Sequence, residues 1–255
     1  MKRNFALGAL VRASFSSLDD ARVLLDLLNR DIPSFFPEKH GSSEPLRDAF
    51  DDNGVAQAWQ SRYMWSASLG RVEGTVFKRE FEHEPHSTVL IRAEPETVSQ
   101  SEAVSFLQHL SNAFQADFAF AHVLTKEESE LGAPGVYGFA DTAGDEPLLT
   151  ISTRILSRFI PDVYWATIFG PPYVSLFGGQ KLLSTPVADA HLIDDERMYL
   201  QMTPTLGDIR LNYEGFERAR ARIKEHLDHR AFWQRGDWNL RQQYRAPDFS
   251  HDRFS

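Results

Sequence analysis

Two pairs of histidines have a spacing that suits metal binding. His83 and His86 lie three residues apart among glutamates, and His226 and His229 have the same spacing near the end of a predicted helix. Imidazole nitrogens beside carboxylates bind divalent cations such as zinc. Each pair also has a simpler explanation, because polar residues collect at solvated hairpin tips and positive side chains favour helix C-termini. We therefore predict no metal and no cofactor, and a metal-dependent hydrolase that uses His83 and His86 is the alternative.

Carboxylates form the second group of residues that could perform chemistry. Paired carboxylates perform acid–base hydrolysis, although acidic clusters on turns are usually just solvated. One cluster alternates along a predicted strand, where three like charges on one side repel each other unless a basic partner relieves them. We predict that this row and a second acidic turn contact a protein partner, and their residues are Glu80, Glu82, Glu84, Asp194, Asp195 and Glu196.

Common catalytic signatures are missing from the chain. It contains no G-x-S-x-G elbow, no Walker loop, no dinucleotide fingerprint and no H-E-x-x-H. It also contains no cysteine, which excludes disulfides, thiolate metal sites and a cysteine nucleophile. We predict that the protein is not an enzyme.

The charge of the chain is negative and unevenly distributed. The 255 residues carry a net charge of −9. Residues 38–146 hold eight basic and 19 acidic side chains, a net charge of −11, whereas residues 210–255 hold ten basic and seven acidic, a net charge of +3. An acidic surface repels phosphate backbones and attracts basic partners, so direct nucleic-acid binding is disfavoured.

The hydrophobic pattern bears on the compartment. No window approaches the ~20 apolar residues of a membrane helix, and the N-terminus lacks the continuous apolar region of a signal peptide. Together with the absence of cysteine, these features lead us to expect a cytoplasmic protein without membrane contact.

Periodicity predicts the elements that position these residues. Alternation predicts a half-buried strand over 3–15, and two further runs, 72–81 and 87–91, predict a hairpin. Another strand is predicted over 117–124. The stretch 132–147, rich in glycine and proline, predicts a surface loop or a broken hairpin.

Three helices follow from apolar residues at helical spacing. Ser17, with Asp20 three residues later, predicts the start of a helix over 18–29. Ser99 and Glu102 form the sequence pattern of a capping box for the second helix. The third runs over 216–227, and its face opposite the apolar stripe holds Arg218, Arg220, Arg222 and Lys224.

The order of these elements predicts the fold class. Strands and helices are interspersed without regular βαβ units, so we predict an α+β fold with mostly antiparallel sheets and helices packed on them. We expect a single domain over 1–255, with a subdivision near 95–115 as the alternative and an irregular tail from about residue 238.

The most distinctive stretch is Tyr164–Pro186, which contains Tyr164-Trp165, Gly170-Pro171-Pro172-Tyr173 and Gly178-Gly179. It resembles the Immunity protein 52 family over roughly residues 162–203, a sixth of the chain. Elsewhere only length and the order of elements agree. A related group of type VI immunity proteins has a similar segment, so both assignments stay open.

Physically, the stretch is typical of a scaffold. Gly170 allows a tight turn, Pro171 suits the first turn of a helix, Tyr173 supplies its buried side and Gly178 ends it. We predict that Trp165 is buried beneath that helix. These residues define the fold and perform no catalysis.

The resemblance implies a function. Members of the family are cytoplasmic antitoxins encoded beside polymorphic toxins, typically nucleases delivered by type VI secretion. The resemblance therefore implies an immunity protein that neutralises its cognate toxin by stoichiometric binding, with the toxin as its partner. A scaffolding protein of the secretion apparatus is a further alternative, and the sequence is compatible with a monomer or a homodimer.

Overall fold

A computed structural model describes residues 3–60, 62–79, 84–137, 147–237 and 241–250. The strands in these ranges are β1 (Phe5–Val11), β2 (Lys39–Gly41), β3 (Asp48–Ala49), β4 (Tyr63–Ala67), β5 (Val72–Phe77), β6 (Ser87–Ala93), β7 (Ala116–Val123), β8 (Val136–Tyr137), β9 (Leu148–Leu149), β10 (Ala166–Phe169), β11 (Asp189–Leu192) and β12 (Met198–Gln201).

The helices in the same ranges are α1 (Leu18–Asp31), α2 (Asp52–Ala58), α3 (Gln100–Ala113), α4 (Lys126–Leu131), α5 (Thr153–Leu156), α6 (Pro171–Phe177), α7 (Gly179–Leu183), α8 (Asp208–Leu211) and α9 (Tyr213–Leu227). None of the described helices is long and apolar enough to span a bilayer.

Ten strands form one antiparallel sheet in the order β11-β12-β10-β7-β1-β6-β5-β4-β2-β3. The short strands β8 and β9 pair separately. Strand β8 lies within the stretch 132–147 predicted as a surface loop or a broken hairpin and β9 follows it, while residues 138–146 lie outside the described residues. The predicted hairpin corresponds to the antiparallel pair β5 and β6. The α+β fold with a mostly antiparallel sheet is confirmed.

The first strand is more deeply buried than its pattern predicted. The alternation indicated a half-buried strand, but all seven residues of β1 are buried. The strand lies in the middle of the sheet, between β6 and β7. Helices α1 and α3 pack over one face, and on the other face Gly8 leaves room for the ring of Phe120. Both faces are therefore covered at the centre of the sheet.

The outer half of the sheet is covered on one face only. In β5, buried Val72, Gly74 and Val76 alternate with half-buried or exposed residues, and β6 alternates in a similar way near its ends. This is the pattern of an antiparallel sheet with one solvated face. The open face lies on β6, β5, β4 and β2.

The two predicted helix caps differ. Ser17 and Asp20 form a complete capping box, with the hydroxyl of Ser17 accepting from the Asp20 N–H at 3.1 Å. Ser99 precedes α3, but its side chain makes no capping bond, and its hydroxyl lies 3.3 Å from that of Ser101. The capping box predicted at Ser99 and Glu102 is therefore wrong, because a neighbouring serine occupies the capping hydroxyl.

The outer face predicted for α9 is also partly wrong. Arg218 and Arg222 are exposed, but Arg220 is buried with 3% of its surface accessible. Its guanidinium group is held by carboxylates, as described below. Spacing alone does not distinguish a basic residue at the edge of the apolar stripe from one on the solvated face.

Residues 95–115 supply α3, which packs on β7 and β1. One apolar cluster contains residues from Phe5 near the start of the chain to Phe249 near its end. Residues 241–250 form no helix or strand.

The two caps generate a matched test. We expect Ser17→Ala to lower the free energy of unfolding by about 1 kcal/mol, because the Asp20 N–H loses its acceptor. Ser99→Ala, which removes no capping bond, should cost clearly less. Urea denaturation of both variants measures the difference, and equal costs would contradict the structural distinction between the two serines.

Candidate functional site at one end of the sheet

The acidic residues predicted to bind a partner lie in two connections at one end of the sheet. The register places Met198, Phe169, Phe118 and Leu10 in neighbouring positions at this end. The turn with residues 194–196 joins β11 to β12, and Glu84 lies in the connection from β5 to β6. The two connections are four strand spacings apart, roughly 20 Å.

The first acidic row differs from its prediction. Strand β5 ends at Phe77, so Glu84 does not lie on a strand. The prediction that three glutamates alternate along one strand face is therefore wrong for Glu84. Glu80, Glu82 and His83 lie outside the described residues. The prediction for the row therefore rests on Glu84, which is partly exposed.

The second acidic cluster divides into one structural and two exposed residues. Asp194 accepts from the backbone N–H groups of Glu196 and Arg197, both at 2.8 Å, and pairs with the Arg197 guanidinium at 2.7 Å. Burial opposes the ionised form of Asp194, but the N–H of Glu196 and the side chain of Arg197 lower its pKa. Asp195 and Glu196 are exposed and form no ion pair with the described residues.

His86 does not lie at a solvated hairpin tip. Its ring is buried, with Nε2 at 2.9 Å from Asp117 Oδ2 and Nδ1 at 2.9 Å from Thr153 Oγ1. Arg12 Nη2 lies 2.8 Å from the same Asp117 oxygen. The solvated-tip explanation is therefore wrong, because Asp117 at the start of β7 binds His86 inside the fold.

A polar pocket of about 380 Å³ opens between the two acidic connections, and its lining residues are Arg12, Asn112, Gln115, Asp117, Pro171, Glu196 and Arg197. It contains the predicted contact residue Glu196 and the family-like residue Pro171. The guanidinium of Arg197 is held in place, because its Nε donates to the carbonyl of Ala116 at 3.2 Å. Arg12, Asp117 and Arg197 were not predicted as site residues, because they belong to three separate segments of the chain.

Two backbone irregularities lie at this pocket. The pairing of β1 with β7 shifts register between Leu10 and Val11, next to Arg12. Gln115 has φ +53°, a left-handed conformation that costs energy for a residue with a side chain. Bulges and strained residues concentrate near functional sites. We use the name sheet-end pocket for the pocket lined by Arg12, Asn112, Gln115, Asp117, Pro171, Glu196 and Arg197.

The resemblance stretch forms the wall behind the pocket. A Cβ on Gly170 would lie 2.4 Å from the carbonyl oxygen of Ala116, so the close approach of two chains requires glycine. Pro171 begins α6, and Tyr173 is buried, as predicted. Gly178 has φ +87° and ends α6, but α7 starts directly afterwards at Gly179, which was predicted to help end the helix.

Trp165 is completely buried, as predicted. Its indole N–H donates to the carbonyl of Thr203 at 3.2 Å, and its backbone N–H donates to His122 Nδ1 at 3.3 Å. Because Nδ1 accepts, the ring proton of His122 is on Nε2, where it donates to Glu128 Oε1 at 2.9 Å. The tryptophan therefore joins the scaffold to a buried ionic network.

This network was not visible in the sequence. Glu128 of α4 binds Arg220 of α9 at 2.8 Å, and Arg220 also contacts Asp162 at 3.2 Å and Glu217. Burial alone would raise the pKa of Glu128, but the hydrogen bond from His122, the positive charge of Arg220 and the Thr125 N–H lower it well below its usual range. Every charge here has a partner, which is the condition for burying it.

The second histidine pair is placed apart from the pocket. His226 Nε2 lies 2.9 Å from the carbonyl oxygen of Lys181, and His229 lies 3.7 Å from Glu225 on the surface. Within the described ranges, no group of three or more histidines and carboxylates is arranged to hold a metal ion.

Comparison with known proteins gives a structural likeness only. No family model matches the chain, and no curated protein matches it. Among solved structures, the chain is similar to the Pseudomonas aeruginosa T6SS protein PA0821, with a TM-score of 0.56 and 11% identity over 88% of this chain and 72% of that one. At this identity the likeness shows the fold, and the resemblance to the Immunity protein 52 family is not confirmed.

The ionic network makes stability depend on pH. Since the pKa of Glu128 is lower in the folded than in the unfolded protein, its contribution is fully present above pH 4.5, the ordinary value, and is lost as pH falls below it. We expect Glu128→Gln to be less stable at pH 7 and to lose less stability between pH 5 and 3. Denaturation curves at several pH values measure both slopes, and parallel slopes would contradict the assignment.

The burial of Trp165 generates a second test. We expect Trp165→Ala to lower the free energy of unfolding by about 3–5 kcal/mol, as truncations of buried aromatic residues do. Trp165→Phe should cost less, because most of the apolar volume remains. Thermal and urea unfolding measure the loss, and an alanine variant as stable as the wild type would place the residue outside the core.

Proposed function

We propose that this protein is an immunity protein that binds and neutralises a cognate toxin, and that it acts by stoichiometric binding without catalysis. The observation that carries the proposal is the sheet-end pocket, where fixed charged side chains and an exposed acidic turn lie together. The proposed partner is a toxin of the type VI secretion system, with a nuclease as the expected activity.

The rigidity of the pocket supports partner binding. Arg197 is held by Asp194 and the Ala116 carbonyl, and Asp117 is held by His86 and Arg12. Side chains fixed in this way lose little entropy when a partner docks, so more of the contact energy appears as affinity. Asp195 and Glu196 stand beside these fixed groups and are exposed to solvent.

The charge supports a basic partner. A nuclease presents basic groups where it binds the phosphate backbone, and carboxylates on an inhibitor can occupy the same surface. The chain carries a net charge of −9, which steers such a partner toward it.

The structural likeness and the resemblance supply the biological context. A T6SS protein with the same fold, together with the Trp165, Gly170 and Pro171 stretch, supports a role connected with type VI secretion. The Immunity protein 52 assignment remains part of this proposal. So do the cytoplasmic location and the absence of a cofactor.

A hydrolase is the second candidate, and one arrangement favours it. Thr153, His86 and Asp117 form a hydrogen-bonded chain in the order of a nucleophile, a base and an acid. However, the sheet-end pocket is lined by Asp117 but by neither His86 nor Thr153. Thr153 is half-buried and lies outside that lining, so the sheet-end pocket gives its hydroxyl no described path to a substrate.

The test uses the product of a neighbouring toxin gene, identified by co-expression and pull-down. We expect the double variant Asp195→Lys, Glu196→Lys to slow association with that toxin at least ten-fold while leaving the melting temperature unchanged. Association of the wild type should also slow between 0.05 and 0.5 M salt, because screening shortens the range of the charges. Stopped-flow or surface plasmon resonance measures both rates.

A matched control lies at the opposite end of the sheet. Glu127 and Glu130 of α4 are exposed, whereas their neighbour Glu128 is buried and unsuitable. Glu127→Lys, Glu130→Lys changes the net charge by the same amount and should slow association much less. Equal effects of the two double variants would show that only the overall charge matters and would contradict binding at the sheet-end pocket.

A further inference from the structure

A groove of about 1030 Å³ runs over the open face of β6, β5, β4 and β2. Met64, Thr75 and Leu90 are paired across β4, β5 and β6 and face the groove from its floor. Tyr137 of β8 and Leu148 of β9 line one side of it. We name these lining residues the sheet-face groove.

Large apolar side chains around the groove are exposed to water. Leu69 is 89% exposed, Tyr137 is 55% exposed and Phe77 is 37% exposed. An exposed apolar side chain alone needs no explanation, but several around one concave surface mark an interface.

The charges of the groove set it apart from the rest of the chain. Its described lining contains three carboxylates and three basic side chains, which are Glu38, Glu44, Glu73, Lys39, Arg62 and Arg92. Nearly all of this lining comes from residues 38–146, a stretch with a net charge of −11. The described lining is therefore balanced in charge, unlike that stretch as a whole.

We infer that the sheet-face groove binds a second copy of this chain and forms a homodimer with twofold symmetry. Two molecules of net charge −9 repel each other, so the contact that costs least is a surface that is itself neutral. A surface with equal numbers of both signs can pair its own opposite charges across a twofold axis, which a uniformly acidic surface cannot do. A basic toxin, in contrast, gains no electrostatic attraction from a neutral groove.

The strand order defines the arrangement. A twofold axis parallel to the strands would place β2 of one copy over β6 of the other. It would also bring the paired residues Met64 and Thr75 of one copy against the same two residues of the other. The turn that joins β4 to β5 would lie at the axis, so the Leu69 side chains of the two copies, each 89% exposed, would approach each other. The apolar residues would form the centre and the charged residues the rim, as in other interfaces.

Sedimentation velocity of the full chain, without any toxin, tests the inference. Between 1 and 100 µM at about 0.15 M salt, we expect the wild type to form a species of twice 29.1 kDa. Thr75→Arg places a charged side chain at the centre and should weaken the dimer at least ten-fold. Leu69→Asp places two carboxylates close together at the axis, at an exposed position, and should also weaken it.

A matched control adds the same residue elsewhere. Leu211→Arg changes a side chain that is 85% exposed on α8, outside the groove, and should leave the dimer unchanged. Circular dichroism and thermal melts check the folding of each variant, and Leu69→Asp decides the test if Thr75→Arg does not fold. A monomeric wild type at 100 µM, or a dimer unaffected by the folded groove variants, would overturn the inference.

Discussion

Because β1 lies between β6 and β7 and every residue in it is buried, the centre of the sheet must be covered on both faces. Helices α1 and α3, which come early in the chain, supply one cover. The other cover includes Tyr164, Tyr173 and Phe216, whose rings pack near the Phe118, Phe120 and His122 side of β7. The second layer therefore depends on residues more than 150 positions after β1. The N-terminal strand is buried on both faces only when those residues pack on the sheet.

That second layer carries charges into the interior. Helix α9 has too few apolar residues to cover the sheet with them alone, and its Arg220 lies against Glu128, Asp162 and Glu217. A buried guanidinium group is tolerated only when its hydrogen bonds are satisfied, so α4, α9 and residue 162 must dock together. The same network reaches Trp165 through His122. The scaffold stretch therefore runs from this ionic network at one end of the sheet to the sheet-end pocket at the other.

Local patterns predicted what is local, and failed where burial is decided at long range. The cap at Ser17, the helical turn at Pro171 and the alternation of Phe118 with Phe120 depend on neighbours within a few residues, and the fold class follows from their order. The full burial of β1, the internal position of Arg220 and the binding of His86 to Asp117 depend on partners that lie from 31 to more than 150 residues away. Periodicity contains no information about such partners. The sheet-end pocket was predicted only at Glu196, because its other polar residues become neighbours through strand pairing.

The two surfaces of this protein face different directions, and only the sheet-end pocket adjoins the exposed acidic turn with Asp195. The sheet-end pocket lies beyond the ends of β1, β7 and β10, whereas the sheet-face groove lies on the open face of β2, β4, β5 and β6. A second copy lying on that face would leave the strand ends near Asp195 and Glu196 open to another molecule. If the dimer forms through the charge-balanced lining of the groove, the exposed carboxylates at both sheet ends stay in solvent, and the field that would attract the proposed basic partner adds across the two copies. Self-association through the face would therefore strengthen, and not obstruct, electrostatic capture at the sheet end.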